Sequence, residues 1–398
     1  MPLYIAQFTD GYTPVADGVV TVVRNYAHWL NEKYGQCVVF CPQTPDFTYD
    51  DAFEVQGFFS LPVMNHAPYR VGLPALDGKF KQQLKATNFD IVHAHAPLLS
   101  GNEAVRYGKK HGVPVVTTFH TKFYDDFLRY LGSETLANAG TKLLMTFYDK
   151  VDAVWTINQS TVQTLREYGY EGEITIVPHG TDLKMLDNPE QAIASVNKRF
   201  GLSEDENIFL FVGQQDWKKN TRLIIETLAK YAGESDNFKM LFVGEGFYKE
   251  EMQQLTQELG VADRFLFTGV IHNRDMLSAI MLRADALLFP SLYDTSGLVV
   301  TESAVMGTPA VVVKDTGPSE GIVHGENGYL CENNVDSLLQ IVRTIAQHPQ
   351  ENMLVGENAS KTLARSWESV VDDVYVKYLQ VIESYHKKRM DEEHIKPT

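Results

Sequence analysis

Two carboxylates, Asp294 and Glu302, lie close together in the stretch 286–313 with Ser296 and Gly297 between them. An apolar run before them predicts a buried strand, and the run after Gly297 predicts a helix. N–H groups at a helix N-terminus attract an anion, and carboxylates accept hydrogen bonds from sugar hydroxyls. The residue types therefore suit a phosphorylated sugar ligand. On spacing alone, Asp294 is equally well a loop residue and Glu302 a solvated helix residue.

The residues around this pair resemble the donor site of the retaining glycosyltransferases of family 4. The matching residues are Pro290-Ser291, Asp294 and Glu302, Gly307-Thr308-Pro309, and the segments 316–320 and 325–328. The resemblance implies that Asp294 contacts the donor sugar and that Glu302 holds the ribose hydroxyls of the nucleotide. It also implies donor contacts at Ser296, Gly297 and Leu298. The family usually has Glu at the first position, and Asp294 is one methylene shorter.

A second segment with donor-binding residue types begins at Gly213. The family usually has Arg after this glycine and Lys five residues beyond the Arg, and both neutralise the donor diphosphate. Here Lys219 takes the lysine position, but Gln214 takes the arginine position and carries no charge. Lys218 is a candidate for the missing charge, although two adjacent lysines are also typical of a solvated surface. Further donor contacts are expected at Gly244 and Val270.

The first half of the chain contributes Gly18 and two histidines to the candidate site. Gly18 follows the first strand, where a glycine lets a phosphate approach the backbone, although a plain turn glycine is the alternative. His120 ends an apolar strand, and the family resemblance implies that it hydrogen-bonds the donor sugar as an orienting group. His95, in an H-x-H pair with His93, is expected to line an acceptor crevice. No third metal ligand is evident, so we expect no metal.

The segment 121–131 resembles bacterial glucosyltransferases that act on diacylglycerol. Phe123, Tyr124 and Phe127 recur there at helical spacing and would form an apolar acceptor groove; the alternative is the packed face of a helix. A local basic patch would help the protein to reach a membrane surface. The candidates are Lys79, Lys81, Lys85, Lys109, Lys110, Lys122 and Arg129. The first three form a short helix that is also typical of a solvated face.

The elements that must position these residues alternate between strand and helix, which predicts an α/β fold with parallel sheets. In the first half we predict strands at 3–8, 36–41, 91–93, 113–119, 153–157 and 174–177. We predict helices at 20–34, 79–86 and 160–167, and a long helical region from about 125 to 150. A polar linker is predicted up to about 201. Later strands are predicted at 208–212, 239–243, 264–267, 286–289 and 310–313, with helices at 298–306 and 367–388.

The family resemblance implies the GT-B arrangement, in which two Rossmann-like doubly wound domains face each other across a cleft. We expect an N-terminal acceptor domain, 1–182, and a C-terminal nucleotide-sugar domain, 183–374. A C-terminal helix, about 375–398, is expected to cross back to the first domain.

Composition limits the classes of function. The formal net charge is −16, which argues against nucleic-acid binding. There is no apolar run of about 18 residues and no basic run before the first strand, so we expect neither a membrane span nor a signal peptide. Three cysteines make no disulfide framework. We expect a cytoplasmic protein that contacts the inner face of the membrane.

The sequence therefore predicts a retaining glycosyltransferase that moves a hexose, first guess glucose from UDP-glucose, to an acceptor hydroxyl. The leading acceptor is a membrane glycerolipid such as diacylglycerol. A soluble sugar or glycan is the alternative acceptor, and the acidic composition suits it better. A sugar-nucleotide-binding protein with little turnover is the alternative of another class, because Asp294 and Gln214 both depart from the family pattern. No cofactor is expected.

Overall fold

The computed structural model describes residues 2–15, 17–63 and 68–395, without the side chains of 392–395. The chain forms two compact units. Unit one extends to His179 and resumes at Trp367, whereas unit two is Gly180–Ser366. The chain returns to unit one earlier than the predicted residue 375, because the last helix begins at Trp367 and belongs to unit one along its whole length.

The strands of unit one are β1 (Leu3–Phe8), β2 (Gly35–Pro42), β3 (Glu54–Phe58), β4 (Ser60–Pro62), β5 (Arg70–Gly72), β6 (Ile91–Ala94), β7 (Val115–Phe119), β8 (Ala153–Thr156) and β9 (Ile174–Ile176). Seven of them form a parallel sheet in the order β3-β2-β1-β6-β7-β8-β9, and β4 and β5 form a separate antiparallel hairpin. From β1 the chain adds strands toward one edge of the sheet, and from β6 it adds them toward the other edge, so the strand order reverses between β1 and β6. Loops part at such a point and leave room for a ligand.

The helices of unit one up to His179 are α1 (Gly18–Lys33), α2 (Gly78–Ala86), α3 (Leu99–His111), α4 (Phe123–Leu131), α5 (Glu134–Tyr148) and α6 (Gln159–Glu167). The long helical region predicted from about 125 to 150 consists of two helices, α4 and α5. Gly132 takes a left-handed conformation, φ 63°, and ends α4. Ser133 then caps α5 by accepting a hydrogen bond from the N–H of Leu136.

The strands of unit two are β10 (Asn207–Val212), β11 (Phe238–Val243), β12 (Phe265–Gly269), β13 (Ala286–Leu288), β14 (Ala310–Val313) and β15 (Tyr329–Cys331). They form a parallel sheet in the order β12-β11-β10-β13-β14-β15. In this sheet the strand order reverses between β10 and β13. The loops after these two strands therefore part at the carboxyl edge of the sheet. Those two loops carry the predicted lysines and the predicted Asp294.

The helices of unit two are α7 (Pro189–Phe200), α8 (Thr221–Tyr231), α9 (Lys249–Glu258), α10 (Arg274–Arg283), α11 (Leu298–Val305), α12 (Val335–Gln347) and α13 (Pro349–Thr362). The polar linker predicted up to about 201 is wrong, because α7 occupies most of it. Pro189 stands in the first turn of α7, and Gly201 ends it with φ 66°. The polar composition reflects a helix with one fully buried residue, Val196.

The last helix, α14 (Trp367–Ile395), packs on α1 within unit one. The rings of Tyr34 and Tyr375 stack with their centroids 4.0 Å apart, and Lys33 Nζ lies 2.5 Å from Asp372 Oδ1. The predicted end of this helix, 396–398, lies outside the described residues. In the part of the chain that the structure describes, no helix has enough apolar length to cross a membrane.

Candidate functional site

The two loops at the reversal point of unit two meet through an ion pair. Lys219 lies in a turn after β10 and Asp294 in the loop after β13, and Lys219 Nζ is 2.5 Å from Asp294 Oδ1. Both side chains are mostly buried. The ammonium group of Lys218 lies 4.3 Å from the ring centre of Tyr293, in the same loop as Asp294. The structure thus brings together the predicted lysines and the predicted acid.

Close backbone packing holds the turn that leads to Lys219. A Cβ atom on Gly244 would lie 2.1 Å from the carbonyl oxygen of Gly213, so a larger residue does not fit there. Gln215 is fully buried and donates from Nε2 to the carbonyl of Gly244 at 2.7 Å. Gln214, at the family's arginine position, is exposed. The rigid turn therefore leaves an uncharged hydrogen-bonding side chain at the surface.

The N-terminus of α11 is shaped by glycines. Gly297 precedes Leu298, the first residue of α11, with φ 64° and has no side chain to cap the helix. A Cβ atom there would lie 2.9 Å from the ring of Phe289. Gly317 brings the loop after β14 against the carbonyl of Thr295 in the same region. The half-buried Ser296 lies beside this helix terminus, whose dipole favours an anion.

Glu302, on α11, is held by an arginine that the sequence analysis missed. Arg274 Nη2 lies 2.9 Å from Glu302 Oε1, and the same nitrogen contacts Asp182. Burial raises the pKa of Glu302, and the nearby guanidinium of Arg274 opposes this shift. Val270, the predicted contact to the nucleotide base, is exposed just before α10. An Arg–Glu pair 28 residues apart leaves no spacing signal in the sequence.

His120 ends β7 in unit one and belongs to a stack of imidazole rings. Its Nε2 lies 3.1 Å from His95 Nδ1, and the two ring centres are 5.4 Å apart. On its other side, the ring of His179 lies at 5.6 Å. The pKa of His120 is lowered by burial and by the neighbouring His95 and His179. A neutral imidazole can orient a ligand hydroxyl group through a hydrogen bond, but it brings no charge to the site.

The position of His95 corrects the expectation that it lines an acceptor crevice. It is 2% exposed and lies between His93 and His120, with its ring centre 4.1 Å from that of His93. Its Nε2 lies 2.9 Å from Gln7 Oε1. His95 is therefore a buried hydrogen-bond partner of His120. Among the described residues, no group of three or more His, Cys, Asp or Glu side chains is arranged to hold a metal ion.

The loop after β1 carries acidic groups. Asp17 caps α1 by accepting a hydrogen bond from the N–H of Val19 at 2.7 Å, and Gly18 is the first helical residue. Asp10, which the sequence analysis missed, accepts hydrogen bonds from the N–H and hydroxyl of Ser100. Burial raises the pKa of Asp10 to about 6. A carboxylate thus already occupies the N-terminus of α1, where a phosphate was expected beside Gly18.

The aromatic residues of α4 do not form the open groove that was expected. Phe123 and Phe127 pack against the core of unit one, and a Cβ atom on Gly140 would lie 2.9 Å from the ring of Phe127. Tyr124 is half-buried, and its N–H donates to the hydroxyl of Tyr168. The alternative reading, the packed face of a helix, describes Phe123 and Phe127.

The comparisons with known proteins agree with this architecture. Residues 194–362 match the model of glycosyl transferases group 1, and residues 16–185 match that of Glycosyltransferase Family 4. The chain therefore contains a family 4 and a group 1 glycosyltransferase domain. This glycosyltransferase has the expected GT-B fold, with two Rossmann-like parallel sheets.

Relatives and solved structures extend the comparison. The chain is 25% identical over 314 residues to the alpha-monoglucosyldiacylglycerol synthase of Streptococcus pneumoniae, covering 77% of this chain and 70% of the relative. It is 22% identical over 403 residues to the synthase of the same name from Acholeplasma laidlawii, covering 96% and 98%. Anabaena HepE, solved with UDP and glucose, matches with a TM-score of 0.77 at 16% identity over 95% and 99% of the two chains.

Proposed function

We propose that this glycosyltransferase moves a hexose, first choice glucose, from a nucleotide diphosphate sugar to an acceptor hydroxyl with retention of the anomeric configuration. The observation that carries the proposal is the contact between Lys219 and Asp294 beside the glycine-capped start of α11. A lysine, helix N–H groups and a carboxylate together suit a diphosphate joined to a sugar. The two relatives named alpha-monoglucosyldiacylglycerol synthase support glucose and a lipid acceptor.

Each residue has a distinct role in the proposed reaction. Lys219 neutralises the diphosphate, Asp294 binds the sugar, Glu302 accepts the ribose hydroxyls, and His120 meets a sugar hydroxyl. The bond between the anomeric carbon and the diphosphate oxygen breaks, and the nucleotide diphosphate leaves with the electron pair. The acceptor oxygen bonds to the same face of the anomeric carbon. Its proton passes to the departing phosphate oxygen, so the reaction needs no protein base.

The surface that we assign to the membrane differs from the aromatic face of α4. Four apolar side chains on or beside the β4–β5 hairpin are exposed: Phe59, Leu61, Tyr69 and Val71. They share one face, because side chains alternate along a strand and Leu61 pairs directly with Val71. Such a cluster is typical of a contact with an apolar partner.

Lysines stand beside this hairpin on α2. Asp77 caps α2 through the N–H of Phe80 and also accepts a hydrogen bond from the N–H of Phe59, so helix and hairpin are joined. Leu76, just before α2, is 72% exposed. The lysines of α2 are Lys79, Lys81 and Lys85. Apolar side chains beside basic ones suit an anionic bilayer.

A screen of nucleotide sugars against diacylglycerol in vesicles and against soluble sugars tests the function. Mass spectrometry detects the product, and the anomeric coupling constant of the product reports its configuration. We expect α-glucosyl lipid from UDP-glucose. Transfer only to soluble sugars would replace the lipid acceptor, and nucleotide binding without hydrolysis or transfer would favour the sugar-nucleotide-binding protein. An inverted anomeric centre would contradict the retaining mechanism.

The membrane surface has a matched pair of variants. Leu61→Asp with Val71→Asp should abolish sedimentation with anionic vesicles at low salt and lower transfer to lipid, while nucleotide binding stays intact. Tyr130→Asp is the control, because Tyr130 is 70% exposed on α4, away from the hairpin in sequence. Binding should weaken as salt shortens the Debye length toward about 8 Å. Equal loss of vesicle binding in both variants would refute the assignment to the hairpin.

A further inference from the structure

A buried hydrogen-bond path leads from β1 to His120. Gln7, on β1, is fully buried; its Nε2 donates to Cys37 Sγ at 3.1 Å, and its Oε1 lies 2.9 Å from His95 Nε2. His95 Nδ1 in turn lies 3.1 Å from His120 Nε2. The path therefore contains a single carbonyl acceptor, Gln7 Oε1, followed by two imidazole rings in series.

The carbonyl of Gln7 determines where the protons lie. A carbonyl oxygen only accepts, so His95 must carry its proton on Nε2. Burial and neighbouring histidines lower the pKa of His95 and of His120, so both rings are neutral and each has one N–H. His95 Nδ1 is then an acceptor, and His120 must donate to it from Nε2. This leaves His120 Nδ1 as an acceptor.

The adjacent ring of His93 provides an internal contrast. Its Nδ1 lies 2.6 Å from the hydroxyl of Tyr378, and its Nε2 lies 2.8 Å from the hydroxyl of Thr118. Hydroxyl groups both donate and accept, so either tautomer of His93 satisfies these two partners. The fixed tautomer is therefore a property of the path through Gln7 and not of burial in general.

We propose that Gln7 is a positioning residue that acts through His95 to hold His120 as the Nε2–H tautomer. His120 then presents only an acceptor at Nδ1, and the ligand group that meets it is a hydrogen-bond donor. This consequence rests on the proposed function and deepens it. A sugar hydroxyl suits Nδ1, whereas a phosphate oxygen does not, because it has no proton to give.

Nitrogen-15 NMR of the histidine side chains tests the proposal without any turnover. In the wild-type protein, His95 and His120 should both show the Nε2–H pattern. Gln7→Met keeps the length of the side chain and removes the acceptor, so the two rings should shift to a mixture of tautomers. Thr118→Val is the matched control: it removes a buried partner of His93 and should leave His120 unchanged.

The outcomes separate this proposal from the proposed function. An Nδ1–H or doubly protonated His120 in the wild type, or an unchanged tautomer in Gln7→Met, would overturn it. The wild-type spectrum alone decides the first point if Gln7→Met does not fold. If the chain is a glycosyltransferase of the proposed kind, kcat/KM for transfer should also fall roughly three- to tenfold in Gln7→Met, as expected for one neutral hydrogen bond. Absence of transfer in the wild type would overturn the proposed function but not the tautomer.

Discussion

Replacing Glu302 by Gln separates the role of this residue in ligand binding from its role in stability. The carboxylate is 14% exposed and is held by Arg274, which also contacts Asp182. Glu302→Gln keeps the shape and removes the charge. Arg274 keeps Asp182 as its partner and is itself 43% exposed, so the variant leaves no buried unpaired cation.

The expected loss is in donor affinity. A hydrogen bond to a charged group contributes about 1.5–3 kcal/mol, so UDP should bind roughly ten- to hundredfold more weakly. Stability should change in the opposite sense. The pKa of Glu302 is raised in the folded protein by burial, so its ionised form is less stable there than in the unfolded chain.

The pH dependence follows from that sign. Below the pKa that Glu302 has in the unfolded chain, this residue is protonated in both states. The substitution then changes the free energy of unfolding little. As pH rises through the raised folded pKa, the wild type loses stability that Glu302→Gln retains. The variant should therefore equal or exceed the wild type at pH 7, and the difference should shrink toward pH 4.

Calorimetry with UDP measures the affinity, and urea unfolding at several pH values measures the stability. Glu332→Gln is the control, because Glu332 is half-exposed and pairs with Lys314 at the surface. It should change neither quantity. Wild-type affinity for UDP in Glu302→Gln would show that this carboxylate does not hold the ribose. A variant much less stable at pH 7 would show that the pair with Arg274 outweighs the cost of burial.

Three further predictions concern charge. Lys219→Met should weaken binding of a nucleoside diphosphate roughly tenfold or more, measured by calorimetry, because a charged hydrogen bond is lost and Asp294 keeps an uncompensated carboxylate; unchanged binding would contradict the role of Lys219. Gln214→Arg should tighten or preserve that binding, since it adds a cation to an exposed position of the same turn; tenfold weaker binding with an intact fold would contradict the assignment of this turn. Burial lowers the pKa of His179 to about 4, so the unfolded chain binds a proton that the folded protein excludes between about pH 6.5 and 4. As pH drops through this range, His179 lowers the free energy of unfolding by about 1.4 kcal/mol per pH unit. His179→Gln should remove this contribution to the pH dependence, which acid unfolding measures.

The parallel sheets were predictable because many of their buried strands are largely apolar runs, even where one polar residue such as Gln7 interrupts them. Leu3–Phe8 and Ala310–Val313 have the predicted bounds for this reason. The errors lie where the signal is short or polar. The break between α4 and α5 rests on Gly132 and Ser133, a cap pair that an otherwise continuous helical pattern hid. β15 has three residues and pairs on one side only, at the edge of its sheet, too short for a periodic signal.

In the candidate site as well, residues in local sequence motifs were predictable and residues with distant partners were not. The resemblance named Lys219 and Asp294 because each lies in a recognisable local motif, and the structure shows that they touch. Arg274 and Gln7 could not be found in this way. Their partners lie 28 and 88 residues away, and their effect comes from a contact made only after folding.

The charge balance of unit two explains why neutral groups matter there. Each carboxylate of the motif already forms an ion pair with a cation, Asp294 with Lys219 and Glu302 with Arg274. A diphosphate that approaches Lys219 must therefore share this cation with Asp294, and Gln214 adds no positive charge. Much of the attraction must then come from hydrogen bonds of backbone N–H groups at the start of α11, which Gly297 does not cap with a side chain. Fixed dipoles at short range lose less strength in salt than surface charges do, so binding of the diphosphate should depend less on ionic strength than binding of the protein to vesicles.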